Sequence, residues 1–247
     1  MRHAPVFAAV VAALAVGFAG SGASQAPRPP GYLTSPINGV LLLGSPPAPG
    51  SAEDLAEKAD YADLGERVNS PRWAQAAIDA ELSPQTLSRG FGCAAGVAIS
   101  PETTPRLTEI MTRVGTDIRK TVQPPKDHFK RVRPAVGNDA PICVARDPAL
   151  LADGSYPSGH AMLGWVYALI LAELKPTEAD PILLRGKAFG DSRVICGVHH
   201  MSDVEAGREL ASALVARLHG EPLFIADMAM ARSEVMKAPA PENCPKG

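Results

Sequence analysis

Six ionisable side chains of this sequence stand in three short blocks whose residue types suit the binding of a tetrahedral anion. Lys126 and Arg133 form the first block, and a Pro-Ser-Gly-His stretch that ends at His160 forms the second. The third block reads Ser-Arg-x5-His-x3-Asp, with its histidine at His199 and its acid at Asp203. Arginine and lysine bind phosphate oxygens, and histidine exchanges protons near neutral pH. The set therefore predicts a site that holds a phosphate-like dianion while a nucleophile attacks it.

The second block stands directly before a long apolar run. Residues 154–160 are followed by residues 161–174, in which Glu173 is the one charge. This pattern predicts a buried helix that begins after a Pro-Ser-Gly turn. The free N–H groups and the positive dipole end of such a helix favour an anion. By itself, however, the stretch favours an ordinary helix start with an incidental histidine over a catalytic centre.

In chain order the blocks read K-x6-R-P, P-S-G-H and S-R-x5-H-x3-D. This pattern resembles the signature of the type 2 phosphatidic acid phosphatase superfamily, which also contains the vanadium haloperoxidases. The Gly-Ser-Tyr before Pro157, the stretch from Ser192 to Gly197 and the Pro-rich N-terminal arm are most similar to the soluble class A bacterial non-specific acid phosphatases. The resemblance covers about residues 32–220. It implies an all-α, single-domain helical bundle of the acid phosphatase/vanadium haloperoxidase type.

The resemblance also implies a role for each block. His199 would attack phosphorus and form a phosphohistidine, Asp203 would hold the other ring nitrogen, and His160 would protonate the leaving alcohol. Water would then attack the phosphohistidine with His160 as the base. No metal and no cofactor is implied, because fixed cations stabilise the charge. The non-bridging oxygens would be bound by Lys126, Arg133, Arg193, the Ser158 hydroxyl and the Gly159 N–H.

Several residues next to these blocks are not predicted to take part in the chemistry. His200 adjoins the predicted nucleophile but lacks its spacing to the arginine and the aspartate. His128, Lys130 and Arg131 stand beside the first block and are predicted to be solvated surface. Asp153, just before the second block, is predicted to line the pocket.

The elements that must position the blocks are predicted to be helices. Four helices are expected to begin at Ser51-Ala52, Ser70-Pro71, Ser83-Pro84 and Thr104-Pro105, which pair a capping residue with a good first helical position. Pro124-Pro125 is predicted to end the fourth helix before it reaches Lys126.

The second half of the chain is also predicted to be helical. Residues 135–153 are expected to form a loop, and helices are expected over residues 177–195 and 222–236. Residues 202–205 match a capping box, which places His199 in the preceding loop and Asp203 in the first helical turn. Since no stretch reads as a strand, the predicted fold class is all-α.

Composition and the chain ends set the remaining expectations. The 247 residues carry a net charge of −2, which does not indicate a nucleic-acid partner. Residues 1–26 are predicted to be a signal peptide, cleaved after Ala23 or Ala26, with an uncleaved anchor as the alternative. We expect a periplasmic or secreted protein without membrane contact after cleavage. The other predicted segments are a Pro/Gly-rich arm (27–50), an all-α phosphatase domain (51–237) and a flexible tail (238–247).

Four cysteines would meet an oxidising compartment after export. Cys93, Cys143, Cys196 and Cys244 allow three complete pairings, among which the sequence does not choose. Cys196 lies among site residues and is as consistent with a buried free thiol as with a disulfide. No C-x-x-C spacing indicates zinc.

The main functional hypothesis is an exported acid phosphatase acting on soluble phosphate monoesters. A phosphohistidine would also allow transfer of phosphate to other small alcohols. The alternatives are a vanadium-dependent haloperoxidase, a lipid phosphatase, and a non-catalytic anion-binding protein that has no use for two histidines and an aspartate together. The preferred substrate stays open, and so does a homo-oligomer.

Overall fold

The computed structural model of the protein describes Met1 and residues 29–244, and this part of the chain contains helices and no strands. The predicted all-α fold is therefore confirmed. The predicted signal peptide lies outside the described residues, apart from Met1. The α-helices are α1 (Gly39–Leu42), α2 (Ala52–Ala62), α3 (Pro71–Asp79), α4 (Pro84–Ala95), α5 (Pro105–Phe129), α6 (Pro148–Ala152), α7 (Gly159–Leu174), α8 (Ala179–Ile195), α9 (Met201–Leu218) and α10 (Pro222–Lys237), and 3-10 turns span Asp63–Arg67 and Pro176–Glu178.

Helix α7 is the centre of the bundle. Its side chains Met162, Val166 and Ile170 are fully buried, and it packs against α4, α5, α8, α9 and α10. A helix that is apolar on all sides is expected in such a central position. Because α7 begins at Gly159, the turn before it lies where several helices meet.

Glycine allows α9 to lie unusually close to the start of α7. A Cβ atom at Gly207 would come within 2.5 Å of the Ser158 carbonyl oxygen, which the backbone of α9 approaches directly. The Ser158 N–H in turn donates to the Asp203 carbonyl oxygen at 2.8 Å. This close approach joins the second and third sequence blocks.

Helix α5 does not end at Pro124-Pro125, so that prediction is wrong. It continues to Phe129 with both prolines inside it. Proline in a helix interior removes a hydrogen bond and costs about 3 kcal/mol. Here Val122, Pro125 and Lys126 are buried, and this packing offsets the local preference. Lys126 is therefore held on the last turn of a long, rigid helix.

The helix start near the third block is also shifted from its prediction. Helix α9 begins at Met201 with His200 as the N-cap, two residues before the predicted Ser202. Asp203 is the acid that closes the cap, because its Oδ2 accepts from the His200 N–H at 2.8 Å. The predicted placement of His199 before the helix and Asp203 in its first turn is confirmed. The predicted loop 135–153 contains the short helix α6.

Two disulfides resolve the open pairing of the cysteines. Cys93 pairs with Cys244 and Cys143 with Cys196, so no cysteine in the described residues is free. The first bond ties the C-terminal segment to α4, and the Pro239 carbonyl accepts from the Ala98 N–H at 2.8 Å. The sequence predicts a flexible tail over residues 238–247, but its described part, up to residue 244, is attached to the helical domain.

Candidate active site

His199 lies in the turn between α8 and α9. Gly197 follows the end of α8 and has a φ of 75°, a left-handed conformation that allows the chain to change direction before α9 begins. The His199 ring is buried, and its Nδ1 lies 3.3 Å from Asp203 Oδ2. Its Nε2 lies 2.8 Å from Arg133 Nη1, a group that can only donate. This pairing favours the tautomer with a proton on Nδ1 and a lone pair on Nε2 facing the cations.

Burial lowers the pKa of His199 to about 3, and the neighbouring Arg133 charge adds to the effect. The ring therefore stays neutral in weakly acidic solution. A neutral imidazole with a free Nε2 lone pair is the form that can act as a nucleophile.

The carboxylate of Asp203 is fixed by a network behind His199. Its oxygens accept from Ser155 Oγ at 2.6 Å and from Arg131 Nη1 at 2.6 Å. Burial alone would raise its pKa, but the contacts with His199, Arg131 and Ser155 hold the pKa of Asp203 well below its usual value. Asp203 therefore remains charged and can orient the histidine ring.

The prediction that Arg131 is solvated surface is wrong. Its side chain is 9% exposed and joins Asp203 to Glu57, whose Oε2 lies 2.7 Å from Arg131 Nη2. A buried Asp203 needs a positive partner, because an uncompensated buried charge is strongly unfavourable. The positions of Arg131, two residues before Arg133, and of Ser155, inside the Gly154–His160 stretch, were the available signals for this network.

Lys126 and Arg133 are brought together by the end of α5. Lys130, with a φ of 48°, ends the helix in the left-handed region, and the chain then turns back toward the site. Asp153 Oδ2 lies between the two cations, 2.7 Å from Lys126 Nζ and 3.0 Å from Arg133 Nη2. The Asp153 side chain is 37% exposed and lines the cavity. An incoming phosphate would therefore compete with this carboxylate for both cations.

Arg193 differs from these two cations in its hydrogen bonding. Its Nε and Nη1 are buried and make no hydrogen bond within the described residues. Burial lowers the pKa of Arg193 to about 10. A buried unsatisfied donor costs about 1–3 kcal/mol, so two of them on one guanidinium indicate an anion site.

The start of α7 carries two of the predicted phosphate-binding residues, Ser158 and Gly159, but only Gly159 lines the cavity. Ser158 is fully buried as the N-cap, and its Oγ accepts from the Ala161 N–H at 3.3 Å. Ser158 is absent from the cavity lining that the structure describes.

His160 follows on the same helix turn, with its ring stacked on Phe189 at a centroid distance of 6.4 Å. Its Nε2 lies 3.1 Å from the Ala80 carbonyl oxygen and donates to it, which leaves Nδ1 for proton exchange. Burial and the Arg193 charge hold the pKa of His160 well below its usual value. These surroundings favour the neutral ring, although the predicted role begins with a proton on it.

We expect a bound dianion to restore this proton, because its negative charge raises the pKa of His160. Binding of sulfate, a tetrahedral dianion, at pH 6 should take up about one proton per ion. Calorimetry in buffers of different ionisation enthalpy measures this number. The His160→Asn variant should take up markedly less, and equal uptake by both proteins would contradict the assignment.

The three blocks meet in one cavity of about 590 Å³. Asp203 lies behind His199 and does not line it. No group of three or more His, Cys, Asp or Glu side chains in the described part of the chain could hold a metal ion. The polar end of the cavity is lined by Lys126, Arg133, Asp153, Gly159, His160, Arg193 and His199.

Comparisons with known proteins agree with the sequence blocks. The profile described as "PAP2 superfamily" matches residues 110–220. The acid phosphatase of Zymomonas mobilis subsp. mobilis is 39% identical over 207 residues, covering 83% of this chain and 78% of that protein. The non-specific acid phosphatase of Providencia stuartii is 37% identical, covering 81% and 82%. That of Salmonella typhimurium is 38% identical, covering 81% and 80%.

Solved structures show weaker likenesses. A bacterial vanadium-dependent iodoperoxidase aligns at 17% identity and a TM-score of 0.48, covering 71% of this chain and 52% of that one. A transmembrane PAP2-type phosphatidylglycerolphosphate phosphatase from Bacillus subtilis aligns at 19% identity and a TM-score of 0.40, covering 69% and 96%. No conclusion on activity follows from these two. The curated relatives confirm the predicted resemblance: the chain belongs to the bacterial non-specific acid phosphatases of the PAP2 superfamily.

Proposed function

We propose that the protein is an exported acid phosphatase that hydrolyses phosphate monoesters through a phosphohistidine on His199. The observation that carries this proposal is that Arg193, with two buried donors that make no hydrogen bond within the described residues, lines the same cavity as the oriented ring of His199. A protein that only binds anions would need the Arg193 guanidinium, but it would not need a histidine held by a buried aspartate. Family membership supports the same activity.

In the first step, the Nε2 lone pair of His199 attacks phosphorus and the bond to the leaving oxygen breaks. The departing oxygen takes a proton from the His160 imidazolium and leaves as the alcohol. Lys126, Arg133 and Arg193, which are buried at the end of the cavity, hold the non-bridging oxygens and stabilise their charge. Asp203 balances the charge on His199.

In the second step, neutral His160 takes a proton from water. The resulting hydroxide attacks phosphorus, the P–N bond breaks, and His199 recovers its lone pair. The products are the alcohol and inorganic phosphate. A small alcohol in place of this water would receive the phosphoryl group instead, which makes phosphotransfer a side reaction of the same intermediate.

Export to the periplasm or the medium is part of the proposal. The apolar run Val6–Ala19, preceded by Arg2 and His3, and the two disulfides support it, since disulfides persist in oxidising compartments. None of the described helices has the length and apolar character needed to cross a bilayer. Cell fractionation with a cytoplasmic marker tests the location.

The activity is tested with purified protein and p-nitrophenyl phosphate. We expect turnover that is faster below pH 7, unchanged by EDTA because the cations are side chains, and inhibited by inorganic phosphate. Tight phosphate binding without turnover would instead indicate an anion-binding protein. Bromide oxidation that requires added vanadate would indicate a haloperoxidase.

A further inference from the structure

The cavity extends beyond the phosphate-binding end as an apolar groove. Helix α7 forms its floor with Leu163, Tyr167 and Leu171, which recur at one-turn spacing. The walls come from α5, with Met111 and Val122 among others, and from residues of the α4 region. The groove is continuous with the phosphate-binding end, because both belong to the same 590 Å³ cavity.

Charge is distributed unevenly along this cavity. Four charged side chains line its phosphate-binding end. Farther along, Arg119 is the one charged residue among the described lining residues, and it lies exposed at the rim of α5. This distribution suits a ligand that has a charged group at one end and an apolar remainder. The charged group would lie at the phosphate-binding end and the apolar part along the floor.

The length of the groove narrows the choice of ligand. The floor extends along α7 from His160 to Leu171, a distance of eleven residue steps that corresponds to about 16 Å of helix. One hydrocarbon chain of a lipid spans about half of a 30 Å bilayer core, which is a similar length. The groove is therefore long enough for one extended hydrocarbon chain attached to the phosphate.

We infer that the groove is the leaving-group subsite for phosphate monoesters whose alcohol carries a single unbranched hydrocarbon chain. The inference rests on the proposed phosphatase activity at the same site. Each methylene group removed from water contributes about 0.8 kcal/mol, which corresponds to about a fourfold gain in binding. Binding expressed in the transition state raises kcat/KM by the same factor.

A homologous series of n-alkyl phosphates tests the subsite. Butyl, hexyl, octyl and decyl phosphate are assayed as monomers, below their micelle concentrations, so that a micellar surface plays no part. We expect kcat/KM to rise about two- to fourfold per methylene until the chain fills the groove. A flat profile would overturn the inference. Because p-nitrophenyl phosphate is assayed in parallel, failure to hydrolyse it would instead overturn the phosphatase proposal.

Gly115 offers a way to block the groove. It lies on α5 in the groove wall, and a Cβ atom there would meet only Arg119 Nη1, at 3.9 Å. A leucine at this helical position has space and a better helix propensity than glycine, so the variant should fold. We expect Gly115→Leu to lower kcat/KM for decyl phosphate at least about tenfold. Turnover of p-nitrophenyl phosphate should be normal, because Gly115 lies about 16 Å along α5 from Lys126, beyond the reach of this short leaving group.

The matched control is Gly65→Leu, at an exposed glycine where a Cβ atom would meet nothing within 4 Å. It should leave both substrates unaffected. Alkyl phosphonates, which are not hydrolysed, should inhibit with the same chain-length dependence in the wild type and lose it in Gly115→Leu. If Gly115→Leu weakens short and long substrates equally, the groove is not the subsite.

Discussion

Replacing His199 with alanine should lower kcat for p-nitrophenyl phosphate by about four to six orders of magnitude, because the covalent path is lost. Of the two histidines among the described lining residues, only His199 is held by a carboxylate, and its Nε2 is directed toward Arg133. Burst and steady-state kinetics measure the loss. The variant should still bind inorganic phosphate, since all three cations remain.

The covalent intermediate gives a second readout. A radiolabelled phosphomonoester should leave label on wild-type protein denatured in alkali, where phosphohistidine survives, and none on His199→Ala. The matched control is His200→Ala, because the neighbouring residue contacts Asp203 through its backbone N–H. It should retain kcat within about tenfold. Label on the His199→Ala chain would place the nucleophile on another residue.

The pKa shifts explain why such a site can work in acid. A histidine with an ordinary pKa would be protonated at pH 5 and unable to attack. Burial lowers the pKa of His199 to about 3, so its nucleophilic form persists through this range. In the proposed mechanism His160 needs the opposite state, and we expect a bound dianion to supply it by raising the pKa of that ring.

Local sequence signals predicted much of the fold. Pairs such as Ser70-Pro71 and Ser83-Pro84 begin helices because the capping hydroxyl and the fixed proline φ act within one turn of chain. The turn before α7 was predictable for the same reason. Pro124-Pro125 was misjudged because burial of the surrounding helix face outweighed a local penalty. The cysteine pairing was open because it depends on which helices pack together.

The candidate site likewise combines features that local sequence predicts with features that depend on tertiary packing. Most residues of the three predicted blocks line the cavity, but Ser158 and Asp203 do not. The spacing did not predict that Arg131 would be buried against Asp203, since nothing local distinguishes it from His128 or Lys130. Nor could the spacing show that two buried donors of Arg193 make no hydrogen bond within the described residues, whereas Arg72 has two partners on α8. Whether a donor finds a partner depends on the folded surroundings.

That lack of partners predicts opposite effects of Arg193→Met on activity and on stability. Removing an oxyanion donor should lower kcat about 10²–10³-fold. Removing two buried, unsatisfied donors should also relieve about 1 kcal/mol or more, which raises Tm by about 2–4 °C in a chain of this size. Activity assays and thermal unfolding of the phosphate-free protein measure the two effects.

Arg72→Met is the matched control. Arg72 donates to Ser192 Oγ and to the Ala188 carbonyl, both at 2.8 Å, on the helix that carries Arg193. Loss of these satisfied bonds should lower Tm by about 2–4 °C, the opposite sign. Inorganic phosphate should raise the Tm of the wild type by binding the folded state, and do so much less in Arg193→Met. A fall in Tm for Arg193→Met in phosphate-free buffer would mean that its guanidinium stabilises the empty fold and is not held ready for an anion.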